Sequence, residues 1–185
     1  CHGTGTEGGL TELGAPLLRA MDEVGMILDL THMSEGSFWE SLDIFRGPVL
    51  ASHNNCRALV PGDRQFSDDQ LRAIFERDGV IGVALDAWML RPGWIKGETT
   101  PQGLTLEAVA DHIDHICQLA GTAAHAAIGS DLDGGYGTEQ TPSDLDTIAD
   151  LQHVLEILRA RGYSLADLEA VAHGNWLSLF QRAWS

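Results

Sequence analysis

The sequence has little positive charge. Of its 185 residues only 11 are Lys or Arg, against 27 Asp or Glu, which gives a formal net charge of -16. Most faces of such a protein would repel a phosphate backbone or an anionic lipid surface. The charge balance therefore argues against nucleic acid and against membranes as binding partners.

Long apolar runs are also absent. No stretch approaches the roughly 18 residues that a membrane span needs, and the first residues are small and polar. The three cysteines, Cys1, Cys56 and Cys117, form no CxxC pair. An odd number of unpaired cysteines predicts reduced thiols and a cytoplasmic location.

Several common catalytic and binding motifs are missing as well. The sequence has no GxSxG motif for a serine nucleophile, and no glycine-rich loop that a lysine follows. The acidic segment that begins at Asp131 does not fit a calcium loop. Tyr136 stands where that loop requires glycine, and Pro142 stands where it requires glutamate.

What the sequence does contain is an alternation of apolar runs and helical patterns. The apolar runs lie at about residues 24–30, 49–52, 80–85 and 126–131. Each run is continuous, which is typical of strands buried on both faces of a parallel sheet. The helical patterns lie at about residues 34–45, 67–78, 105–120 and 143–161. This order predicts an α/β fold with helices outside a parallel sheet.

A His or an Asp follows three of the four predicted strands. His32 follows the first, His53 the second and Asp131 the fourth. The carboxyl ends of parallel strands meet at one edge, where α/β proteins build their active sites. Two imidazoles and a carboxylate at that edge suit a zinc ion. The alternative is that each residue is satisfied locally in its own loop.

Arg64 is a candidate for recognising an anion. It lies in a loop that follows His53, in a chain with few cations. An arginine there can form a bidentate pair with a substrate carboxylate. A salt bridge to Asp63 or Asp68 is the competing interpretation.

Two further features have a structural and a functional interpretation. The irregular stretch at 86–103 is long for a compact domain, and its Trp88 and Trp94 are candidates for the wall of a pocket. Tryptophans in loops as often pack locally or at a subunit contact. His112 and His115 lie three positions apart on a predicted helix and could clasp a metal ion. Their position opposite the apolar stripe instead favours a solvated face.

An ordered set of motifs spans nearly the whole chain. It comprises MILDLTHMS at 26–34, PVLASHNNCR at 48–57, GVIGV at 79–83, DHIDHI at 111–116 and GSDLDG at 129–134. This set resembles the renal (membrane) dipeptidase family of zinc peptidases. The resemblance implies a (β/α)₈ barrel of the amidohydrolase type, with two zinc ions at the carboxyl ends of its strands.

The resemblance also implies roles for particular residues. His32 and His53 match the two histidines that bind one of the metals, and Arg64 matches the arginine that binds the substrate carboxylate. Asp131 matches the residue that transfers a proton. The implied reaction is hydrolysis of a dipeptide, in which a metal-activated hydroxide attacks the peptide carbonyl and Asp131 passes a proton to the leaving amine.

The sequence lacks several residues that the active site of this family contains. The family's His-x-Asp metal pair, its bridging Glu and its carbonyl-polarising His have no counterpart here. We therefore expect residues 1–185 to be a single partial domain, the C-terminal half of a barrel, whose partner is the missing N-terminal half. The isolated chain is expected to be inactive, with at most a partial zinc site.

Two other functions stay open at this stage. A half-barrel could be a binding or association module without catalysis, closing through a homodimer across its open strand edges. A related metal-dependent amidohydrolase acting on another amide or a lactam would carry the same strand-end residues.

Overall fold

The structure, a computed structural model, describes residues 5–185, so the predicted Cys1 thiol lies outside the described residues. Four parallel strands form one sheet in chain order. They are Leu28–Asp29 (β1), Val49–Ala51 (β2), Val80–Val83 (β3) and Ala126–Ile128 (β4). The predicted parallel α/β sheet is confirmed, although each strand is shorter than its apolar run.

The first strand is the one that shortens most. Residues 24–27 were expected to be extended, but Val24 caps the preceding helix and Gly25 adopts a positive φ of 70°. Pairing begins only where the Leu28 N–H donates to the carbonyl of Pro48. The turn at Gly25 is therefore what places the start of β1.

Eight helices accompany the sheet in the described residues. They are Gly14–Glu23 (α1), Glu35–Ile44 (α2), Asp68–Phe75 (α3), Ala87–Leu90 (α4), Glu107–Ala120 (α5), Gln152–Ala160 (α6), Leu165–Glu169 (α7) and Asn175–Ala183 (α8). A capping box between Ser67 and Gln70 starts α3, and α5 ends at Gly121 in the left-handed conformation. No helix within residues 5–185 is long and apolar enough to cross a membrane.

The helix predicted at 143–161 is wrong in its first part. Ser143 instead bonds to the carbonyl of Leu104 through both its backbone N–H and its hydroxyl. A capping box between Thr147 and Asp150 starts the helical path with a 3₁₀ turn at Ile148–Leu151, and α6 continues from it. Ile148, the first residue of that turn, is 76% exposed.

The sheet separates two apolar layers. Successive strand residues point to opposite faces, and Ile81 and Ala126 belong to the main core while their neighbours Val80 and Ala127 belong to a second, smaller cluster. The main core joins the sheet to α2, α3, α5 and α6. The smaller cluster includes Leu179 of α8. Both faces are therefore covered, as the continuous apolar runs predict.

The expectation that His112 faces solvent is wrong. Its side chain is 1% exposed, and its Nδ1 accepts the backbone N–H of Cys56 at 3.0 Å. Burial lowers the pKa of His112 to about 3, which keeps the ring neutral and able to accept. His112 thus fixes the chain just after His53 to α5.

Close packing at the carboxyl ends of β2 and β4 explains why residue 129 is a glycine. A Cβ on Gly129 would overlap the backbone carbonyl oxygen of Ser52. We expect Gly129→Ala to lower the free energy of unfolding by about 1–3 kcal/mol, since a backbone shift is needed to make room. Urea unfolding of the full-length protein measures this loss.

Gly137→Ala is the matched control for that prediction. A Cβ on Gly137 would meet only the flexible carboxylate of Glu139, so its stability should stay within about 0.5 kcal/mol of the wild-type value. Equal unfolding midpoints for the two variants would contradict the proposed clash.

Candidate active site

Three strand ends bring their polar side chains together. His32 and His53 follow β1 and β2, and their Nε2 atoms lie 2.8 Å apart. Asp131 follows β4, and its Oδ2 lies 3.9 Å from Nε2 of His53. The predicted convergence of these three residues is confirmed, because the parallel strands place all three turns at one edge.

Two of these residues have unusual backbone conformations. His32 has φ 68° and Asp131 has φ 55°, both in the left-handed region. For a residue other than glycine this conformation costs on the order of 1 kcal/mol and is concentrated at functional sites. The strained turns aim both side chains at His53.

The carboxylate of Asp29 holds the first two turns in register. Its Oδ1 accepts the backbone N–H of Thr31 at 3.0 Å and that of Ser52 at 3.1 Å. One oxygen thereby ties the residue before His32 to the residue before His53. Sequence reasoning gave Asp29 no role, although its place at the end of β1 was a usable signal.

His53 is oriented by its neighbours. Its Nδ1 lies 2.8 Å from the hydroxyl of Ser52, which leaves Nε2 directed towards His32. Burial lowers the pKa of His53, and the nearby Asp131 carboxylate opposes that shift. A neutral imidazole with a free Nε2 is the form that binds a metal ion.

Arg64 is a buried cation that forms no ion pair with any residue in the described range 5–185. Only 4% of its surface is exposed, its Nη2 donates to the carbonyl of His53 at 3.0 Å, and its Nη1 has no hydrogen-bond partner among residues 5–185. Burial lowers the pKa of Arg64, against the attraction of Asp131 and other carboxylates. Leaving such a donor unpaired costs about 1–3 kcal/mol or more.

The competing salt bridges of Arg64 are not formed. Asp68 instead contacts Nε2 of His115 at 2.8 Å, and a carboxylate oxygen of Asp63 accepts the backbone N–H of Gly5 at 2.6 Å. Nη1 of the guanidinium is therefore available to a ligand.

A cavity of about 400 Å³ connects these groups. His32, Arg64 and Asp131 line it, together with Trp88 and Trp94 of the long irregular stretch. The prediction that these tryptophans wall a pocket is confirmed. The remaining lining residues are Asp86, Met89, Lys96, Gly134, Gly135, Tyr136 and Gln140.

Asp86 is a polar residue of the cavity that sequence reasoning missed. Its Oδ1 accepts from Nε2 of Gln140 at 2.7 Å and from the backbone N–H of Trp88 at 3.3 Å. Burial raises the pKa of Asp86, and the bond from Gln140 opposes the shift. Position alone, three residues beyond β3, was the only signal in the sequence.

The donor set fits part of a zinc site. Two nitrogens on a tetrahedral zinc ion lie about 3.3 Å apart, close to the 2.8 Å between the two Nε2 atoms. A carboxylate stands nearby in Asp131. Within residues 5–185, however, no group of three or more His, Cys, Asp or Glu is arranged to hold a metal ion. The chain therefore contributes an incomplete ligand set.

Known proteins are similar to this chain over nearly its whole length. The family model described as "Membrane dipeptidase (Peptidase family M19)" matches residues 2–184. An uncharacterized protein from the pqqA 5′ region of Klebsiella pneumoniae is 34% identical over 95% of this chain and 62% of its own length. The dipeptidase aclJ of Aspergillus oryzae is 32% identical over 92% of this chain and 38% of its own.

Solved structures are similar as well. A metallopeptidase from Rhodobacter sphaeroides, liganded with a phosphinate mimic of the dipeptide L-Ala-D-Ala, is 30% identical with a TM-score of 0.85. The match covers 97% of this chain and 48% of that structure. The dipeptidase AC, also of family M19, has a TM-score of 0.84 over 50% of its chain.

The chain thus spans about half the length of the relatives that it matches, and its four parallel strands are half of the eight in a (β/α)₈ barrel. With the family model matched from residue 2 to residue 184, the chain belongs to the membrane dipeptidase family, peptidase family M19.

Proposed function

We propose that this chain is the C-terminal half of a zinc-dependent dipeptidase. One observation carries the proposal: the buried guanidinium of Arg64, with an unpaired Nη1, lines the same cavity as His32 and Asp131. A carboxylate is the ligand that best satisfies such a group. A free dipeptide offers a carboxylate close to a hydrolysable bond.

His32 and His53 are the proposed zinc ligands of this chain. When bound, zinc would polarise the peptide carbonyl and lower the pKa of water. The other ligands would come from residues outside the described chain, because residues 5–185 hold no complete set. For this reason the domain is proposed to be partial, with the N-terminal half of the barrel as its partner.

Asp131 is proposed to hold and transfer the proton. Its carboxylate stands 3.9 Å from His53 and lines the cavity, where it can take a proton from water and give it to the leaving amine. Trp88 and Trp94 would exclude water around the substrate. The phosphinate dipeptide mimic in the Rhodobacter sphaeroides relative is consistent with this assignment.

Two wider expectations stay predictions. A cytoplasmic location rests on the free, buried thiols of Cys56 and Cys117. A homodimer rests on the unpaired edges of β1 and β4, which end the sheet in the described residues.

Replacing Arg64 tests carboxylate recognition. We expect Arg64→Met in the full-length protein to lower kcat/KM for free dipeptides by about 10- to 100-fold, chiefly through KM, since a charge-assisted hydrogen bond is lost. The same dipeptides with an amidated C-terminus report only the effect of losing the bond to the His53 carbonyl. An equal decrease for free and amidated substrates would contradict the assignment.

Replacing the histidines tests metal binding independently of activity. We expect His32→Ala and His53→Ala each to remove one of two zinc ions from the full-length protein, as measured by inductively coupled plasma mass spectrometry. His153→Ala, which changes an exposed histidine of α6, is the matched control. Unchanged zinc content in both site variants would refute the ligand assignment.

The 185-residue chain purified alone tests the incompleteness of the site. We expect it to hydrolyse no dipeptide with zinc present, because residues 5–185 hold no complete ligand set. Zinc content and dipeptide hydrolysis are measured on the same preparation. Two bound zinc ions together with turnover would show that the other half is not required.

A further inference from the structure

The cavity holds a second unpaired donor besides Arg64. Trp94 lines the cavity, and its indole N–H is buried without a hydrogen-bond partner among residues 5–185. A buried N–H that nothing accepts is rare in folded proteins and calls for an explanation. An oxygen atom of a bound ligand would provide the missing acceptor.

The third donor is a lysine two positions further along. Lys96 is the single lysine in the sequence, and it lines the same cavity. Within residues 5–185 no ion pair joins it to a carboxylate. A chain with a net charge of -16 thus has its one lysine and the buried Arg64 in the lining of the same cavity.

Two other polar groups of the cavity already have partners. Asp86 accepts from Gln140 at 2.7 Å, and the hydroxyl of Tyr136 donates to the carbonyl of Ser130 at 3.0 Å. What remains for a ligand in this part of the cavity is therefore a set of donors: the guanidinium of Arg64, the indole of Trp94 and the ammonium of Lys96.

We infer that Trp94 and Lys96 form a second acceptor-binding subsite, which selects dipeptides whose C-terminal residue has an acidic side chain. The inference rests on the proposed function, because it assigns the α-carboxylate to Arg64. Two carboxylates on one residue then match two separate groups of donors. The side-chain carboxylate is bound by the Trp94 indole and the Lys96 ammonium.

The substrate preference is tested with three dipeptides that differ only in the last side chain. Ala-Ala, Ala-Gln and Ala-Glu are compared in the zinc-loaded, full-length protein, with the last residue in either configuration. We expect kcat/KM for Ala-Glu to exceed that for Ala-Gln by about tenfold, as one charge-assisted hydrogen bond allows. Equal values for Ala-Glu and Ala-Gln would overturn the inference and leave the proposed function intact.

Two variants separate the two donors. Lys96→Met should lower kcat/KM about tenfold for Ala-Glu and leave Ala-Gln and Ala-Ala unchanged, because only the glutamate side chain is charged. Trp94→Phe keeps an aromatic wall but removes the N–H, so it should lower kcat/KM more for Ala-Glu and Ala-Gln than for Ala-Ala. Arg159→Met removes an exposed charge on α6 and is the charge-matched control.

Some outcomes count against the subsite alone. If Lys96→Met lowers kcat/KM equally for all three substrates, Lys96 stabilises the loop and does not bind the side chain of the substrate. A Trp94→Phe variant that slows Ala-Ala as much as Ala-Glu would show the same for the indole.

Failure of hydrolysis altogether would overturn the proposed function, and binding then decides the subsite. Ala-Glu and Ala-Gln are titrated calorimetrically into the full-length protein freed of metal with a chelator. Tighter binding of Ala-Glu that Lys96→Met abolishes supports the inference. Equal affinities, or no binding of either dipeptide, contradict it.

Discussion

Parallel pairing of the four strands is the constraint on which the rest of the molecule depends. Parallel strands need a crossover after each one, and those crossovers place the helices that bury Ile81 and its neighbours. The same pairing sends every strand's carboxyl end to one edge. His32, His53 and Asp131 come together there although they are separated by many residues in sequence. Core and site therefore have one geometric origin.

The cavity contains a buried positive charge, that of Arg64, although the protein as a whole is strongly acidic. An acidic protein could easily compensate the buried guanidinium of Arg64 with a salt bridge. The two carboxylates closest to Arg64 in sequence have other partners, however: Asp68 contacts His115, and Asp63 accepts from the backbone of Gly5. Asp131 and Asp86 stabilise the charge from a distance without neutralising it. A cation held in this way keeps its strongest interaction for a ligand, at a cost to the stability of the unliganded protein.

The sequence allowed much of the site to be predicted, since strand ends are easy to locate. A His or Asp just past an apolar run has its position fixed by the sheet, which is why the convergence of His32, His53 and Asp131 was correctly expected. The prediction for His112 was wrong because the periodicity of a helix does not show a hydrogen bond to another segment. The ring of His112 accepts the backbone N–H of Cys56 on the neighbouring loop. The prediction for the first part of the 143–161 helix was wrong because Ser143 bonds to Leu104, which lies 39 residues away in the chain. The roles of Asp86 and of the Trp94 indole could not be predicted for a related reason. A local sequence pattern does not show which polar atoms find a hydrogen-bond partner after folding and which, among residues 5–185, do not.

The two incomplete features of the chain point in the same direction. The sheet ends at β1 and β4, whose outer edges have no partner strand in the described residues, and an exposed backbone edge favours the addition of further strands. The proposed ligand set is also incomplete in the described residues, which offer two histidine nitrogens and no full coordination shell. A parallel strand added beside β1 or β4 would bring its own carboxyl end to the rim that holds His32 and Asp131. Under the proposed function, one added half of the barrel would therefore complete both the sheet and the proposed metal site.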